Sequence, residues 1–271
     1  MTPEKVPAQQ LHAGDDERPS HGHLMLLGQQ RVFYAGLLGR PRNRTSGALN
    51  FYVCIEGGMT LTREDGVVER GVTTAVVPPY VPHTLRGSHP SIINILIEPE
   101  TLHESALVAM TKTCPPTAEF VTRVRAAYRS LLAEGCCSKL STGAFDTLFF
   151  GAALPVRQLD RRVARAVRRI NTFDGNLALA ADCATEARLS LSRFGHLFKD
   201  ETGFSFRTMR AWKRARHLLH FVNADCNLAL LAQDIGYPDS THFSHSIRRY
   251  HGHWPRAIFR GSRDLEIVRT G

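Results

Sequence analysis

The strongest constraint on this chain is a duplication in its C-terminal half. The segment running from Phe194 through Phe198 and Lys199 to Gly203 aligns with Phe243, Ile247, Arg248 and Gly252, every matched position being offset by 49 residues. Each copy has apolar residues at i and i+4 and ends in a glycine, the pattern of an amphipathic helix closed at its C-terminus. Upstream, Asn176 and Asn227 each precede a Leu-Ala-Leu run and read as N-caps of matching helices. Their offset is 51, so the copies differ by a short insertion or deletion. Small residues (Cys183 and Ala184, Ala232) mark the first helix of each pair. Turns follow at 187–189 and 236–238, with Ser190 and Asp239 placed to cap the second helices. Helix, tight turn, helix, twice over, is helix-turn-helix grammar, in which the second helix enters a major groove.

The segment between the copies spells out a connector helix over 205–222. Phe206, Met209, Trp212, Ala215, Leu219 and Val222 form an apolar stripe, while Arg207, Arg210, Lys213 and Arg214 occupy other faces. Eighteen helical residues would span ~27 Å, enough to hold two recognition helices about one DNA turn (~34 Å) apart. Charge agrees. The formal net charge of the chain is +9, and all of the excess lies from Pro155 onward, in 20 Lys+Arg against 11 Asp+Glu, with seven of the 13 histidines. Two readings fit such asymmetry: a polyanionic partner for that half, or a solvated basic surface. The charge step also places a domain boundary near 153–155. A fragment starting there, with its own apolar stripes, is expected to fold alone.

The neutral half reads as strands and then helices. Residues 1–20 are polar and are expected to be disordered. Strands are predicted over 51–55, 59–62, 73–77 and 91–97, with turns at 56–58 and 64–66. Many short, closely spaced strands suggest an antiparallel sandwich or barrel. The stretch from Gly71 to His83 resembles the second motif of the cupin jelly roll, where the histidine is a metal ligand in metal-binding members. Residues 42–45 supply no partner histidine, and one imidazole cannot hold a catalytic metal, which needs about three protein ligands. His83 is therefore expected in a turn or pocket. Helical periodicity follows over 102–110, 118–132 and 142–150. Such helices suit three roles: core packing, a cover for the open face of the barrel, or a dimer seam.

The six cysteines (Cys54, Cys114, Cys136, Cys137, Cys183, Cys226) contain no Cys-x-x-Cys spacing, against both a disulfide scaffold and a zinc site. No apolar run approaches the ~20 residues of a membrane span, and the N-terminus lacks the apolar core of a secretory signal. The expectation is a soluble cytoplasmic protein without metal or cofactor.

The C-terminal half resembles the AraC/XylS family of bacterial transcription regulators. Over roughly 160–260 the resemblance rests on Ser190, Phe194, Phe198, Lys199 and Gly203, on Arg214 in the connector, and on Gly236, Tyr237, Asp239, His242, Phe243, Gly252 and Pro255. The N-terminal half is similar, more loosely, to the cupin-type sensor domain that many members carry. The resemblance implies base contacts from Ser192, Arg193 and His196 in the first recognition helix. In the second it implies Ser240, Thr241, His242, Ser244 and His245. Ser190, Lys199, Arg248 and Arg249 are implied as phosphate contacts, which position a protein without reading sequence. Gly195 stands where members commonly expose a polar base-reading residue, and His245 where an arginine is usual.

The fold class expected is α+β in two domains. The first is a cupin-like β-jelly roll at 21–100 with a helical dimerisation or linker region at 101–154. The second, at 155–271, is an all-α double helix-turn-helix with its connector helix. The function expected is a non-enzymatic, sequence-specific, effector-responsive regulator of transcription. Its partners would be double-stranded DNA, a small-molecule effector, a second copy of the chain and, for an activator, RNA polymerase. Asn50, Tyr52, Tyr80, His83 and Asn94 are candidate effector-pocket residues. The rivals are a cupin-type metal enzyme with a helical appendage, opposed by the missing histidines, and a helical adaptor that binds no DNA. A zinc-thiolate DNA-repair sensor lacks its clustered cysteines here.

Overall fold

A computed structural model describes residues 22–113, 116–135, 140–172 and 178–270. Residues 1–20, Asn176 and three cysteines (Cys114, Cys136, Cys137) named above lie outside the described residues.

Strands β1 (Leu24–Leu27), β2 (Arg31–Leu37), β3 (Leu49–Cys54), β4 (Met59–Arg63), β5 (Val68–Val72), β6 (Thr74–Val77), β7 (His83–Gly87) and β8 (Ser91–Ile97) form two sheets, joined by β9 (Glu266–Arg269). The larger sheet has the order β6-β3-β8-β2-β1-β9 and the smaller β5-β4-β7. Most strands of the larger sheet are apolar on both sides because both faces of that sheet are covered. One face (Leu24, Leu26, Phe33, Phe51, Ile93, Ile95) packs against helices α2 (Ala118–Glu134) and α3 (Thr142–Phe150). Across the other face, Tyr52, Cys54 and Ile92 meet Leu61 and Leu85 of the small sheet, while Met25, Leu27, Val32 and Leu96 meet C-terminal helices. Thus α2 and α3 cover a sheet face. A buried bidentate pair, Arg31 to Asp146 at 2.7 and 3.1 Å, ties α3 to β2.

A short helix α1 (Glu104–Val108) runs into a π-helical turn, Ala109–Thr113. After α3 the chain crosses to α4 (Arg161–Asn171) and then to α5 (Ala180–Glu186) and α6 (Leu191–Thr202), the first helix pair. The connector is shorter than its periodicity predicts. Helix α7 ends at His217 (Phe206–His217) and tightens into a 3₁₀ turn, Leu218–His220, over buried Leu218. Helices α8 (Leu228–Asp234), α9 (Ser240–His251) and α10 (Pro255–Gly261) complete the second unit.

The C-terminal half differs from the self-contained unit expected of it. Strand β9 pairs in parallel with β1, Leu24 opposite Glu266 through Leu27 opposite Arg269. The end of the chain therefore finishes the sheet that the N-terminal half begins. Trp212 of α7 is buried against the first half, and a Cβ on Gly47 would lie 2.3 Å from its ring. The side chain of residue 47 is absent because the indole occupies its place.

Candidate nucleic-acid interface and the cavity behind it

Both helix pairs are made by the same local devices. In the first, the turn passes through Arg188 at φ 56°, and Leu189 N–H returns to the Ala184 carbonyl at 2.9 Å. In the second, Gly236 takes that conformation at φ 84°, and Tyr237 N–H returns to Ala232 at 2.8 Å. Helix ends of this left-handed kind satisfy carbonyls that the helix leaves unpaired. The offset through these turns is 48 and that of the following helices 49, so Pro238 is the inserted residue. Ser190 caps α6 by accepting from Arg193 N–H at 3.2 Å. Asp239 caps α9 by accepting from Thr241 and His242 N–H, both at 2.8 Å. Those backbone donors, with the His242 side chain, hold the Asp239 carboxyl below its usual range.

Packing then decides which side of each helix is free. Phe194 and Phe198 turn inward on α6, and Phe243, Ile247 and Tyr250 on α9. Outward on α6 are Ser192, Arg193, His196 and Lys199, together with Leu191 and Asp200; Ser190 is exposed too, its hydroxyl engaged in the cap. On α9, Ser240, Thr241, His242, His245 and Arg249 are exposed, and Ser244 and Arg248 half-buried. Ser192, Arg193, His196 and Lys199 share one side of α6, and the α9 set spreads over the whole half of its helix that Phe243, Ile247 and Tyr250 leave free. A side chain added at Gly195 would meet nothing within 4 Å, so the sequence leaves a bare patch in the first face. His242 Nδ1 sits 2.8 Å from Asp239 Oδ2, and the Arg248 guanidinium lies 4.4 Å over the Trp254 ring.

Behind the second unit lies a cavity of about 240 Å³, walled by Met25, Val32, Ile92 and Leu96 on the sheet and by Leu219, Val222, Ile258 and Leu265 on the helical side. Of the five pocket residues expected from sequence, Tyr52 and Asn94 line it. The other three are elsewhere. Asn50 is buried with its amide on the Ala48 carbonyl at 2.7 Å. Tyr80 packs its ring on Phe204, 4.8 Å between centroids. His83 sits behind Tyr52, accepting at Nε2 from the Tyr52 hydroxyl (2.9 Å) and Arg44 Nε (3.3 Å), with Nδ1 2.8 Å from the Val81 carbonyl. Burial and Arg44 push the His83 pKa down to about 3, so the ring is neutral. Among the described residues no three His, Cys, Asp or Glu side chains gather to hold a metal.

Sequence reading missed Arg44, His251 and His253, which also line the cavity. Their contribution depends on the second unit folding back onto the sheet, and no local pattern announces that. The Arg44 guanidinium lies 4.9 Å from the centre of the Tyr52 ring, and its Nη2 is buried without a hydrogen-bond partner.

A buried ion cluster fastens the two halves beside this cavity. Lys213 Nζ lies 2.9 Å from Glu98 and 2.6 Å from Glu100, and Trp212 Nε1 donates to Glu98 at 3.0 Å. Arg216 Nε is 2.7 Å from Glu98, an ion pair without hydrogen-bond alignment, while its Nη2 donates to the Gly28 carbonyl. Burial pushes the Glu98 carboxyl up, but Lys213 and Arg216 outweigh it and hold the group below its usual range.

Paired helix-turn-helix units with capped, outward-facing second helices have the geometry with which such motifs enter DNA grooves. Residues 183–261 match the helix-turn-helix domain family. The whole chain is similar in fold to ToxT from Vibrio cholerae O395, with 12% identity over 86% of this chain and 99% of that one at a TM-score of 0.54. It is similar as well to ToxT from Vibrio cholerae strain SCE256, solved with an unsaturated fatty acid bound, at 10% identity over 86% and 95% of the two chains and a TM-score of 0.53. Among curated proteins none matches the sequence. The chain thus joins a β-rich N-terminal half to a helix-turn-helix domain, in a fold similar to that of ToxT.

Proposed function

We propose that the chain is an effector-gated regulator that binds DNA as a homodimer and acts by binding rather than catalysis. Ser192, Arg193 and His196 read bases in one major groove, and Ser240, Thr241, His242, Ser244 and His245 in the next. Lys199, Arg248 and Arg249 hold phosphates, and Ser190 contributes through its helix end. The helical region 101–154 supplies the dimer seam, RNA polymerase is the partner at activated promoters, and the protein works in the cytoplasm. Domain limits near 21–100, 101–154 and 155–271 serve this reading, with β9 returning to the first.

The observation that carries the effector is Arg44: a guanidinium with a buried, unpartnered Nη2 at an apolar cavity. A donor shielded from water without a partner is costly, and an anionic group on an otherwise apolar molecule would satisfy it. The fatty acid held by the similar fold of ToxT has that chemistry. Because the cavity is shared by the sheet and the second unit, a ligand there biases their arrangement, and couplings of about 1–3 kcal/mol are usual. Titration with oleate in a calorimeter should give binding to the full chain and at least tenfold weaker binding to Arg44→Met. Absence of binding to the unsubstituted chain sinks the effector reading and leaves DNA binding untouched.

A further inference from the structure

The net charge of the first half conceals a basic loop. Between Arg18 and Ile55 there is no acidic residue, and residues 39–45 read Gly-Arg-Pro-Arg-Asn-Arg-Thr. Arg44 turns inward to the cavity, whereas Arg40, Arg42 and Asn43 are exposed. Neither Arg40 nor Arg42 has an acidic partner among the described residues. Exposed cations without counter-charges are kept apart by mutual repulsion and favour a polyanion.

The backbone fixes where this loop sits. Thr45 N–H donates to the Arg249 carbonyl at 2.8 Å and Arg42 N–H to the Gly252 carbonyl at 3.0 Å, so the loop supplies donors to the C-terminal end of α9. His253 Nε2 is 3.2 Å from the Leu38 carbonyl, which fastens the other end of the loop. The fit is close, since a Cβ on Gly252 would lie 2.9 Å from the Arg42 carbonyl oxygen.

Trp254 links this corner to the outward side of α9. In the first copy the equivalent residue, 49 positions earlier, is Ser205, which caps α7 by accepting from Thr208 N–H at 3.1 Å. Trp254 occupies the N-cap of α10 and cannot cap it. It is 42% exposed, with Arg248 over its face and the His245 ring edge-on at 5.9 Å. From His245 and Arg248 the surface therefore runs through Trp254 to Gly252 and onto the arginine loop.

We propose that the sensor half binds DNA directly: Arg40 and Arg42 contact backbone phosphates beside the groove read by α9, extending the interface past the helix-turn-helix domain. This rests on the DNA-binding reading. It also places the contact over the cavity, because Leu38, Gly39 and Arg44 at the two ends of the loop line it, so an occupant of the cavity adjoins a DNA contact.

Phosphate contacts act on any sequence, so the test needs no operator. The full chain and its Arg40→Gln/Arg42→Gln variant are titrated with a fluorescent 40-base-pair duplex of arbitrary sequence over a range of salt. Each lost contact removes about 0.9 from the slope of log K against log salt, so the slope should fall by roughly 2 and low-salt affinity by tenfold or more. Lys199→Gln is the reference and should lower the slope by roughly 1. A double variant with wild-type slope and affinity, alongside a reduced slope for Lys199→Gln, overturns the sensor contact alone. No binding by the unsubstituted chain at low salt overturns the DNA reading together with it. Both substituted side chains are exposed, and the loop is anchored by backbone atoms and by the inward-turned Arg44, which the variant keeps, so an unchanged melting temperature confirms that the fold is intact.

Discussion

In the first helix-turn-helix unit Phe194, Phe198 and Phe206 pack tilted and edge-on against one another, ring centres 5.3–5.8 Å apart, and the surrounding core is drawn from α4 to α7. In the second, Phe243, Ile247 and Tyr250 share a core with Trp212 and, across the domain boundary, with Met25, Leu27, Val32 and Leu96. The sequence of each pair is built to one template, yet one unit carries its own core and the other borrows part of it from the sheet. The difference separates two duties. A unit with a private core can hold its helix whatever the first half does, whereas a unit whose core, ion cluster and final strand are shared with the first half moves only with it. On the proposed function, a ligand in the cavity would bear on α9 rather than on α6.

The largest effect that tests this contrast is at Glu98. Removing one partner of a buried ion cluster leaves the others unpaired and costs about 3–5 kcal/mol. Glu98→Ala should lower the urea midpoint of the sheet and second unit together, followed by amide exchange, and leave protection in α6 at its wild-type level. The matching ion pair of the first unit, Arg169 with Glu186, is half exposed, and Glu186→Ala should cost only about 0–1 kcal/mol. Equal losses in α6 and α9 for Glu98→Ala would mean that the first unit has no independent core.

What the sequence made legible follows the same division. The first unit, both recognition helices and their caps lie in local patterns: glycines at helix ends, Ser190 and Asp239 as caps, aromatics at i and i+4. Strands over 51–55, 59–62, 73–77 and 91–97 were visible for the same reason. Illegible features are those made by distant partners. The residues of β9, Glu266 to Arg269, carry no strand signal of their own and become a strand because β1 offers an edge. Arg44 reads as one more loop arginine until Tyr52 and His83 surround it. Tyr80 and Asn50 are polar residues near apolar runs, as pocket residues are, but they are consumed by Phe204 and by the Ala48 carbonyl.

Acidification provides a second, smaller test. Burial lowers His251, His217 and His220 to about 4 and His83 to about 3, and lowers His253 as well. All five belong to the sheet, the end of the connector or the second unit, whereas His196 is the first unit's one histidine. A folded-state pKa below the unfolded value of ~6.5 means that the unfolded chain binds more protons. Their contribution is complete above about pH 6.5 and declines as pH falls toward the folded values. Each group adds at most about 1.4 kcal/mol per pH unit, less for His217 and His220, which are half exposed. Reference carboxylates titrate mainly below pH 5, so the decline over this range belongs chiefly to histidine. Denaturation midpoints should drop over that range for the second unit and stay level for the first. A flat profile for both would show that these rings accept protons in place.

The smallest effect is the most selective. Ser190 donates nothing to a core; its hydroxyl accepts one N–H, that of Arg193. Replacing it with alanine leaves that donor to water and should cost about 1 kcal/mol, the usual value for a lost serine cap. In a chain with one shared core the penalty would spread over every amide that opens only in global unfolding. With a private first core it should be confined to sub-global opening of α4 to α6, so native-state hydrogen exchange should quicken roughly fivefold there. Amides of α8 and α9 should exchange at the wild-type rate, because their core is fastened by Trp212, Lys213 and β9 to the sheet. Faster exchange of comparable size in α9 would break the contrast between the units. It would then fall to the shared helix α7, whose Phe206 and Met209 face one core and whose Trp212 and Ala215 face the other, to carry the coupling.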